Sequence, residues 1–120
     1  MKPAASRPVV HLELHTHDVR DALSFYAALC GWKSERVPTA AGAYVALEMG
    51  SGIGGGVVEC PVRNGSWLPY AEVSNIREIT ARAEVLGARV LLAPREGPVG
   101  WRSVVSTETG GEIAFWQPKR

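Results

Sequence analysis

The sequence lacks an excess of charge of either sign, since 13 Lys and Arg residues face 12 Asp and Glu residues for a formal net charge of +1. A protein that binds nucleic acid through its backbone needs clustered positive charge to neutralise the phosphates. No apolar run approaches the roughly 18 residues of a membrane-spanning helix. The chain therefore predicts neither a nucleic-acid partner nor a membrane protein.

Cysteine is also scarce, because Cys30 and Cys60 are the only two and do not form a Cys-x-x-Cys pair. This number supports neither a disulfide framework nor a zinc knuckle. Cys30 falls in the apolar stripe of a predicted helix, where we expect it to be buried as a small hydrophobe. The start of the chain shows no apolar stretch of the kind found in secretory signals. Together these features predict a cytoplasmic protein.

What is present is enough apolar side chain for a core, at 46% hydrophobic residues in a chain of 120. This predicts one folded domain rather than a disordered chain. Two segments have the apolar periodicity of an amphipathic helix. Asp18 should cap the first helix and Gly31 should end it. Ser74 or Asn75 should cap the second, which should end at Gly87.

Each predicted helix follows one strand-like segment and precedes three more. The strand-like segments are 9–15, 33–37, 43–49, 53–59, 68–73, 89–93, 101–106 and 112–117. Both halves thus read β-α-β-β-β at an offset of about 57 residues, which indicates a duplicated supersecondary unit of class α+β. We expect a flexible N-terminus over 1–8 and a single domain over 9–118, made of modules over about 9–60 and 66–118.

Several short motifs occur along the chain in a fixed order. They are HLEL at 11–14, DV at 18–19, SFY at 24–26, LCGW at 29–32, IGGG at 53–56, YAEV at 70–73, LG at 86–87, GPVG at 97–100 and GGEIAFWQP at 110–118. In this order and spacing they resemble the vicinal oxygen chelate superfamily, especially its actinobacterial glyoxalase-like branch. The superfamily includes glyoxalase I, bleomycin-resistance proteins and extradiol dioxygenases. The resemblance implies two βαβββ modules whose curved sheets form a ligand cup, and a homodimer.

Metal-bearing members of that family have four ligand positions that face the cup. The resemblance places these positions at His11, at Leu68, among residues 54–56 and at Ala114. Leucine, glycine and alanine cannot coordinate a divalent ion, and a catalytic metal normally has three protein ligands. We therefore expect no cofactor and no resident metal, unless a carboxylate replaces a lost ligand (Glu13, Glu48 or Glu59). This argues against lactoylglutathione-lyase and extradiol-dioxygenase activity, both of which need the ion as a Lewis acid.

Strand alternation indicates what the cup would contain instead. If His11 faces the cup, Glu13 and His15 face it too, and the Cα atoms of His11 and Glu13 lie about 6.6 Å apart. Desolvation would favour the protonated form of Glu13, unless it shares charge with His11 as an ion pair. Either state suits acid–base chemistry near neutral pH. A purely structural role for Glu13, bonded to a neighbouring strand or to an arginine such as Arg102, is an equal alternative.

The same alternation in the second half adds Tyr70 to His11 and Glu13 as a candidate catalytic residue. The candidate ligand-binding residues are aromatic or charged side chains in the cup or near its rims: Trp67, Glu72, Trp101, Arg102, Glu112 and Trp116. Aromatic faces and a few polar groups are typical of small-molecule sites.

Two functions follow, and the sequence leaves open whether the protein is an enzyme. The first is a binder of a small organic molecule, of the bleomycin-resistance type, with no complete metal site. The alternative is a metal-independent lyase, isomerase or cyclase in which His11 and Glu13 act as acid and base. Its substrate would be a small carbonyl compound or a natural-product intermediate.

Overall fold

A computed structural model describes residues 6–39, 42–50, 52–61 and 65–119. Its elements are β1 Val9–Thr16, α1 Val19–Cys30, β2 Lys33–Thr39, β3 Gly42–Glu48, β4 Gly54–Glu59, β5 Ser66–Glu72, α2 Ile76–Val85, β6 Arg89–Glu96, β7 Gly100–Ser106 and β8 Glu112–Pro118. The predicted strands and helices are confirmed, and the class is α+β. Neither helix in these ranges is long and apolar enough to cross a membrane.

The βαβββ order occurs twice. Val9 and Ser66 begin corresponding strands, and Val19 and Ile76 begin corresponding helices, at the offset that the sequence predicts. The chain divides into two compact units, the first over 10–68 and the second over the described residues before 10 and after 68. Most of the N-terminal segment predicted to be flexible, residues 1–5, lies outside the described residues.

Helix α1 begins and ends where its sequence provides caps. The carboxylate of Asp18 accepts a hydrogen bond from the backbone N–H of Asp21 at 2.9 Å, which satisfies a donor that the helix cannot. Gly31 follows the helix with a φ of 71° and donates its N–H to the carbonyl of Ala27 at 3.0 Å. A positive φ costs glycine little, so this residue ends the helix without strain.

Helix α2 has two caps at its N-terminus. Asn75, rather than Ser74, accepts from the backbone N–H of Glu78 at 3.1 Å. The side-chain carbonyl of Gln117 on β8 accepts from the N–H of Ile76 at 2.7 Å. The second cap is a tertiary contact, because it ties the start of α2 to the last strand of the same unit.

In the first unit the strands lie in the order β2-β3-β4-β1, with β1 and β4 parallel and the other pairs antiparallel. Leu14, Val45, Leu47 and Val57 form the core, and side chains of α1 pack against it. Because strand side chains alternate, the residues on either side of Leu14, Glu13 and His15, point to the opposite face. We call this opposite side the open face of the first unit.

In the second unit the order is β5-β8-β7-β6, with β5 and β8 parallel and the other pairs antiparallel. On the α2 side, the hydroxyl of Thr80 donates to the carbonyl of Ile76 at 2.6 Å and bonds to the hydroxyl of Ser103 at 2.7 Å. Ser103 is fully buried. Ser103 thus points toward α2, and its strand neighbour Arg102 points to the side that we call the open face of the second unit.

Cys30 is exposed, so the expectation that it would be buried is wrong. The α1 side chains that pack against the core are Val19, Ala22, Leu23 and Tyr26. Leu29, one residue before Cys30, is 68% exposed. The last turn of the helix therefore extends past the part of the stripe that the core covers, a length that periodicity alone does not reveal.

Candidate functional site

The open face of the first unit carries a carboxylate held between two imidazoles. Glu13 is only 7% exposed. Its Oε1 lies 2.7 Å from Nε2 of His15, and its Oε2 lies 3.8 Å from Nε2 of His11. Burying a carboxylate is costly unless it is paired and hydrogen-bonded. The short contact is in the range of charge-assisted bonds, so His15 is the close partner of Glu13.

Tyr44 completes this cluster and is not among the residues predicted from the sequence. Its hydroxyl lies 3.1 Å from Nε2 of His11. It reaches the open face because Ala46, two residues later on β3, pairs with Gly56 on β4, and Gly56 in turn pairs with Glu13. We call Glu13, His11, His15 and Tyr44 the polar cluster.

The glycines of β4 provide the space that the polar cluster occupies. A Cβ built on Gly56 would overlap the hydroxyl of Tyr44. A Cβ built on Gly54 would lie 3.0 Å from Nδ1 of His11. Glycine within a strand often marks a place where a neighbouring group approaches the backbone closely. The structure shows that neighbouring side chains lie against these glycines.

This arrangement suits proton transfer. Glutamate and histidine are the side chains most often used as general acids and bases, and tyrosine can act in the same role. Glu13 and His15 share a hydrogen bond, while His11 lies between Glu13 and the hydroxyl of Tyr44. A ligand on the open face of the first unit would meet groups that can both accept and donate a proton.

The same residues do not fit the metal centre that the family resemblance implies. Within the described ranges, no three or more His, Cys, Asp or Glu side chains are arranged to hold a metal ion. Leu68 and Ala114 offer no ligand atom, and the glycines of β4 offer no side chain. Nε2 of His11 and Oε1 of Glu13 already have partners in Tyr44 and His15.

Cys60 follows β4 and is half-buried, with its backbone N–H bonded to the carbonyl of Thr16 at 2.8 Å. Burial, and to a lesser extent the negative charge of Glu13, raises the pKa of the Cys60 thiol. In a Cys30→Ser background, we expect iodoacetamide to label Cys60 with a pH midpoint above that of free cysteine. Glu13→Gln should lower this midpoint only part of the way, because burial is the larger cause. A midpoint that rises in Glu13→Gln would contradict this explanation.

The open face of the second unit brings together several of the predicted residues. Tyr70 is 5% exposed, and its hydroxyl accepts from Nη1 of Arg102 at 3.4 Å. Trp116 pairs with Arg102 on one side and with Glu72 on the other. Glu112 is exposed at the start of β8. Tyr70, Glu72, Arg102 and Trp116 therefore share one face of this sheet.

The other two predicted aromatic residues lie on the helix sides of their units. The indole N–H of Trp67 donates to the hydroxyl of Tyr26 on α1 at 3.3 Å, and Trp67 lines a cavity of about 680 Å³. The guanidinium of Arg77 on α2 lies 5.4 Å from the ring centroid of Trp101, which lines a cavity of about 490 Å³. Neither tryptophan shares a face with the polar groups described above. Asp18 is one of the charged residues that line the larger cavity, and it already has a structural role as the cap of α1.

No protein-family model matches this sequence. No curated protein matches it either.

Comparison with solved structures does give matches over nearly the whole chain. A hypothetical protein from Bacillus halodurans C-125 is 16% identical, with a TM-score of 0.71 and 97% of each chain covered. A glyoxalase/bleomycin resistance protein/dioxygenase superfamily member from Vibrio splendidus 12B01 is 19% identical, with a TM-score of 0.67, covering 93% of this chain and 99% of the other. Streptomyces coelicolor methylmalonyl-CoA epimerase, in complex with 2-nitronate-propionyl-CoA, is 14% identical, with a TM-score of 0.64, covering 98% and 100%. At these identities the likeness shows a shared fold.

Proposed function

Because the chain has the vicinal oxygen chelate fold, we propose that it binds a small organic molecule at the open faces of its sheets, without a resident metal ion. The observation that carries this proposal is the burial of Glu13 between two histidines on the sheet side opposite α1. A side chain that served only the core would face α1, as Leu14 does. The polar cluster instead places acceptors and donors where a ligand can meet them.

The second unit supports the same proposal. Its open face combines the guanidinium of Arg102, the hydroxyl of Tyr70 and the indole of Trp116. A few polar groups beside an aromatic ring are typical of small-molecule sites. The epimerase that shares this fold is in complex with a coenzyme A ester analogue. Carbonyl compounds and their coenzyme A thioesters are therefore the first ligands to test.

The bleomycin-resistance type of binding and a homodimeric assembly are also part of this proposal. Both come from the resemblance of the motifs at 11–14, 29–32 and 110–118 to the superfamily, many of whose members are homodimers. Light scattering after size-exclusion chromatography tests the assembly, and a mass near 26 kDa is expected, about twice the 12.9 kDa of one chain. A mass of one chain would contradict the dimer. The cytoplasmic location remains a prediction from the sequence.

Ala46→Phe is the variant that tests ligand binding at the open face of the first unit. Ala46 lies beside Gly56 on this face, so the added ring should exclude a ligand there. A panel of carbonyl compounds and coenzyme A thioesters is first screened for the compound that binds the parent most tightly. We expect the affinity of Ala46→Phe for this compound, measured by calorimetry, to fall at least about tenfold, the effect of losing one charge-assisted contact. Ala28→Phe, at an exposed position of α1, is the matched control and should bind as the parent does.

Equal affinities of Ala46→Phe and Ala28→Phe would contradict binding at this face. Circular dichroism should first show that both variants fold. Elemental analysis of protein purified without chelator tests the absence of a resident metal. A stoichiometric divalent ion would contradict that part of the proposal.

The short contact between Glu13 and His15 favours a second candidate function, acid–base catalysis. At 2.7 Å the two groups can share a proton, and a buried carboxylate is well suited to accept one from carbon next to a carbonyl. In this candidate Glu13 is the base, His15 stabilises its charge, and His11 with Tyr44 supplies the acid. The reaction would be an isomerisation, an elimination or a cyclisation.

A further inference from the structure

Two arginines lie directly opposite each other on the open face of the second unit. Arg95 on β6 and Arg102 on β7 are Cα partners in the strand register, just past an irregularity between Leu92 and Arg95. Both side chains are exposed. Residues opposite each other in an antiparallel pair have Cβ atoms about 5 Å apart, and like charges at such positions are destabilising. The pair therefore calls for a compensating negative charge.

No acidic side chain in the described part of the chain forms an ion pair with either arginine. The ion pairs found there join Glu13 to the two histidines and Lys119 to Glu96. Glu96 is next to Arg95 in sequence, but it pairs with Trp101 on the α2 side and its carboxylate lies 2.7 Å from Nζ of Lys119. Among the residues that the structure describes, the side chain of Arg102 donates a hydrogen bond to the neutral hydroxyl of Tyr70.

The remaining carboxylates on this face lie in other positions of the strand register. Glu72 is separated from Arg102 by Trp116, which pairs with both. Glu112 pairs with Ser106, at the other end of β7. The strands thus place Arg95 and Arg102 together, while the carboxylates of Glu72 and Glu112 lie elsewhere on the same face.

An aromatic ring lies beside the arginine pair. Trp116 is the β8 partner of Arg102, and a Cβ built on Gly100 would be 2.6 Å from Cη2 of Trp116. The indole therefore lies close against the backbone of β7 at Gly100. A ring in this position offers a flat apolar surface next to two cations.

We propose that Arg95 and Arg102 form a binding site for the oxyanion of a ligand, a carboxylate or a phosphate group, whose planar apolar part rests on Trp116. Guanidinium groups bind such oxyanions through paired hydrogen bonds, and two of them can hold one anion from both sides. The anion supplies the missing countercharge. The inference rests on the proposed function for the organic part of the ligand, while anion binding by the arginine pair stands by itself.

Titration with benzoate, phenyl phosphate and inorganic phosphate tests this site. Binding is followed by calorimetry and by the arginine Nε–H signals in NMR spectra. We expect Arg95→Gln and Arg102→Gln each to weaken the better aromatic anion at least about tenfold, since each loses charge-assisted hydrogen bonds. Arg89→Gln is the matched control, an exposed arginine on the same strand opposite Ser106, and should change the affinity less than about twofold.

Preference for benzoate assigns a carboxylate ligand, and preference for phenyl phosphate assigns a phosphate ligand. Either preference supports the site if Arg95→Gln and Arg102→Gln both weaken binding of the preferred anion. Equal losses in all three variants, or no binding of either aromatic anion, overturn the inference. If inorganic phosphate binds more weakly than phenyl phosphate, the phenyl ring gains affinity from Trp116 as proposed. Equal affinities would contradict a contact between the ring and Trp116.

Thermal stability gives a second readout that does not need a ligand. At low ionic strength, Arg95→Gln should melt at a higher temperature than the parent because it removes the repulsion, and high salt should abolish the difference. A lower melting temperature in low salt would overturn the charge argument. If the arginine variants keep anion affinity while Ala46→Phe loses ligand binding, this inference fails and the proposed function stands. If the arginine variants lose anion affinity while Ala46→Phe keeps ligand binding, this inference stands and binding at the open face of the first unit fails.

Discussion

Replacing Glu13 by glutamine is expected to slow the exchange of a ligand's carbon-bound proton at least about 100-fold, while ligand affinity changes less than about threefold. Glutamine has the shape of glutamate and keeps an oxygen that can accept from Nε2 of His15, now 2.7 Å from Glu13. It cannot take up a proton. The variant therefore removes the base but keeps the hydrogen-bond acceptor. A loss of exchange without a loss of affinity would show that Glu13 acts in catalysis and not only in binding.

The measurement is proton NMR in deuterated water with a carbonyl compound or a coenzyme A thioester, the class that the epimerase neighbour binds. Loss of the signal of the proton next to the carbonyl reports abstraction. Glu59→Gln, an exposed carboxylate at the end of β4, is the matched control and should exchange at the parental rate. An unchanged rate in Glu13→Gln would contradict its role as base. Tight binding with no exchange by the parent would leave the protein a binder.

Much of the fold follows from the sequence because its signals are local. A helix cap depends on the side chain at one position, as with Asp18, and a helix end on the tolerance of Gly31 for a positive φ. Strand alternation is equally local. It placed His11, Glu13 and His15 on the face away from α1, and the hydrogen bonds among these residues and Tyr44 agree.

The rest of the candidate site depends on pairing between strands. Tyr44 joins the polar cluster through the register of β3 on β4, which a single sequence does not specify. Arg95 faces Arg102 only because the register of β6 on β7 shifts after Leu92. The one usable signal was the run of glycines at 54–56, since glycine in a strand often marks a close approach by a neighbour.

The side of the sheet on which a tryptophan lies also could not be predicted from the sequence. The sequence predicts Trp67 and Trp101 as ligand-binding residues near the rims of a cup. Their contacts with Tyr26 and Arg77 place them on the helix sides of their units. A large aromatic side chain at the end of a strand can pack against either the ligand or the helix, and only the packed structure decides between them.

Gly56→Ala is expected to destabilise the protein by about 1–3 kcal/mol and to break the hydrogen bond between Tyr44 and His11. The backbone at Gly56 does not have a positive φ, so alanine is allowed there. What is missing is space, because the new methyl group would overlap the hydroxyl of Tyr44. The tyrosine ring must therefore leave its position or the strand must shift.

A double-mutant cycle separates this clash from a general loss of strand stability. Removing the ring in Tyr44→Ala should make the second change, Gly56→Ala, nearly neutral, a coupling of about 1–3 kcal/mol in the free energy of unfolding. Gly54→Ala is the control, because its methyl group would lie 3.0 Å from Nδ1 of His11, a side chain that can move, and the cost should be smaller. Urea unfolding followed by circular dichroism measures all four proteins of the cycle and the control. If the two changes are additive in the free energy of unfolding, the cost of Gly56→Ala does not come from a clash with Tyr44. That result would contradict the proposed contact between Gly56 and the polar cluster.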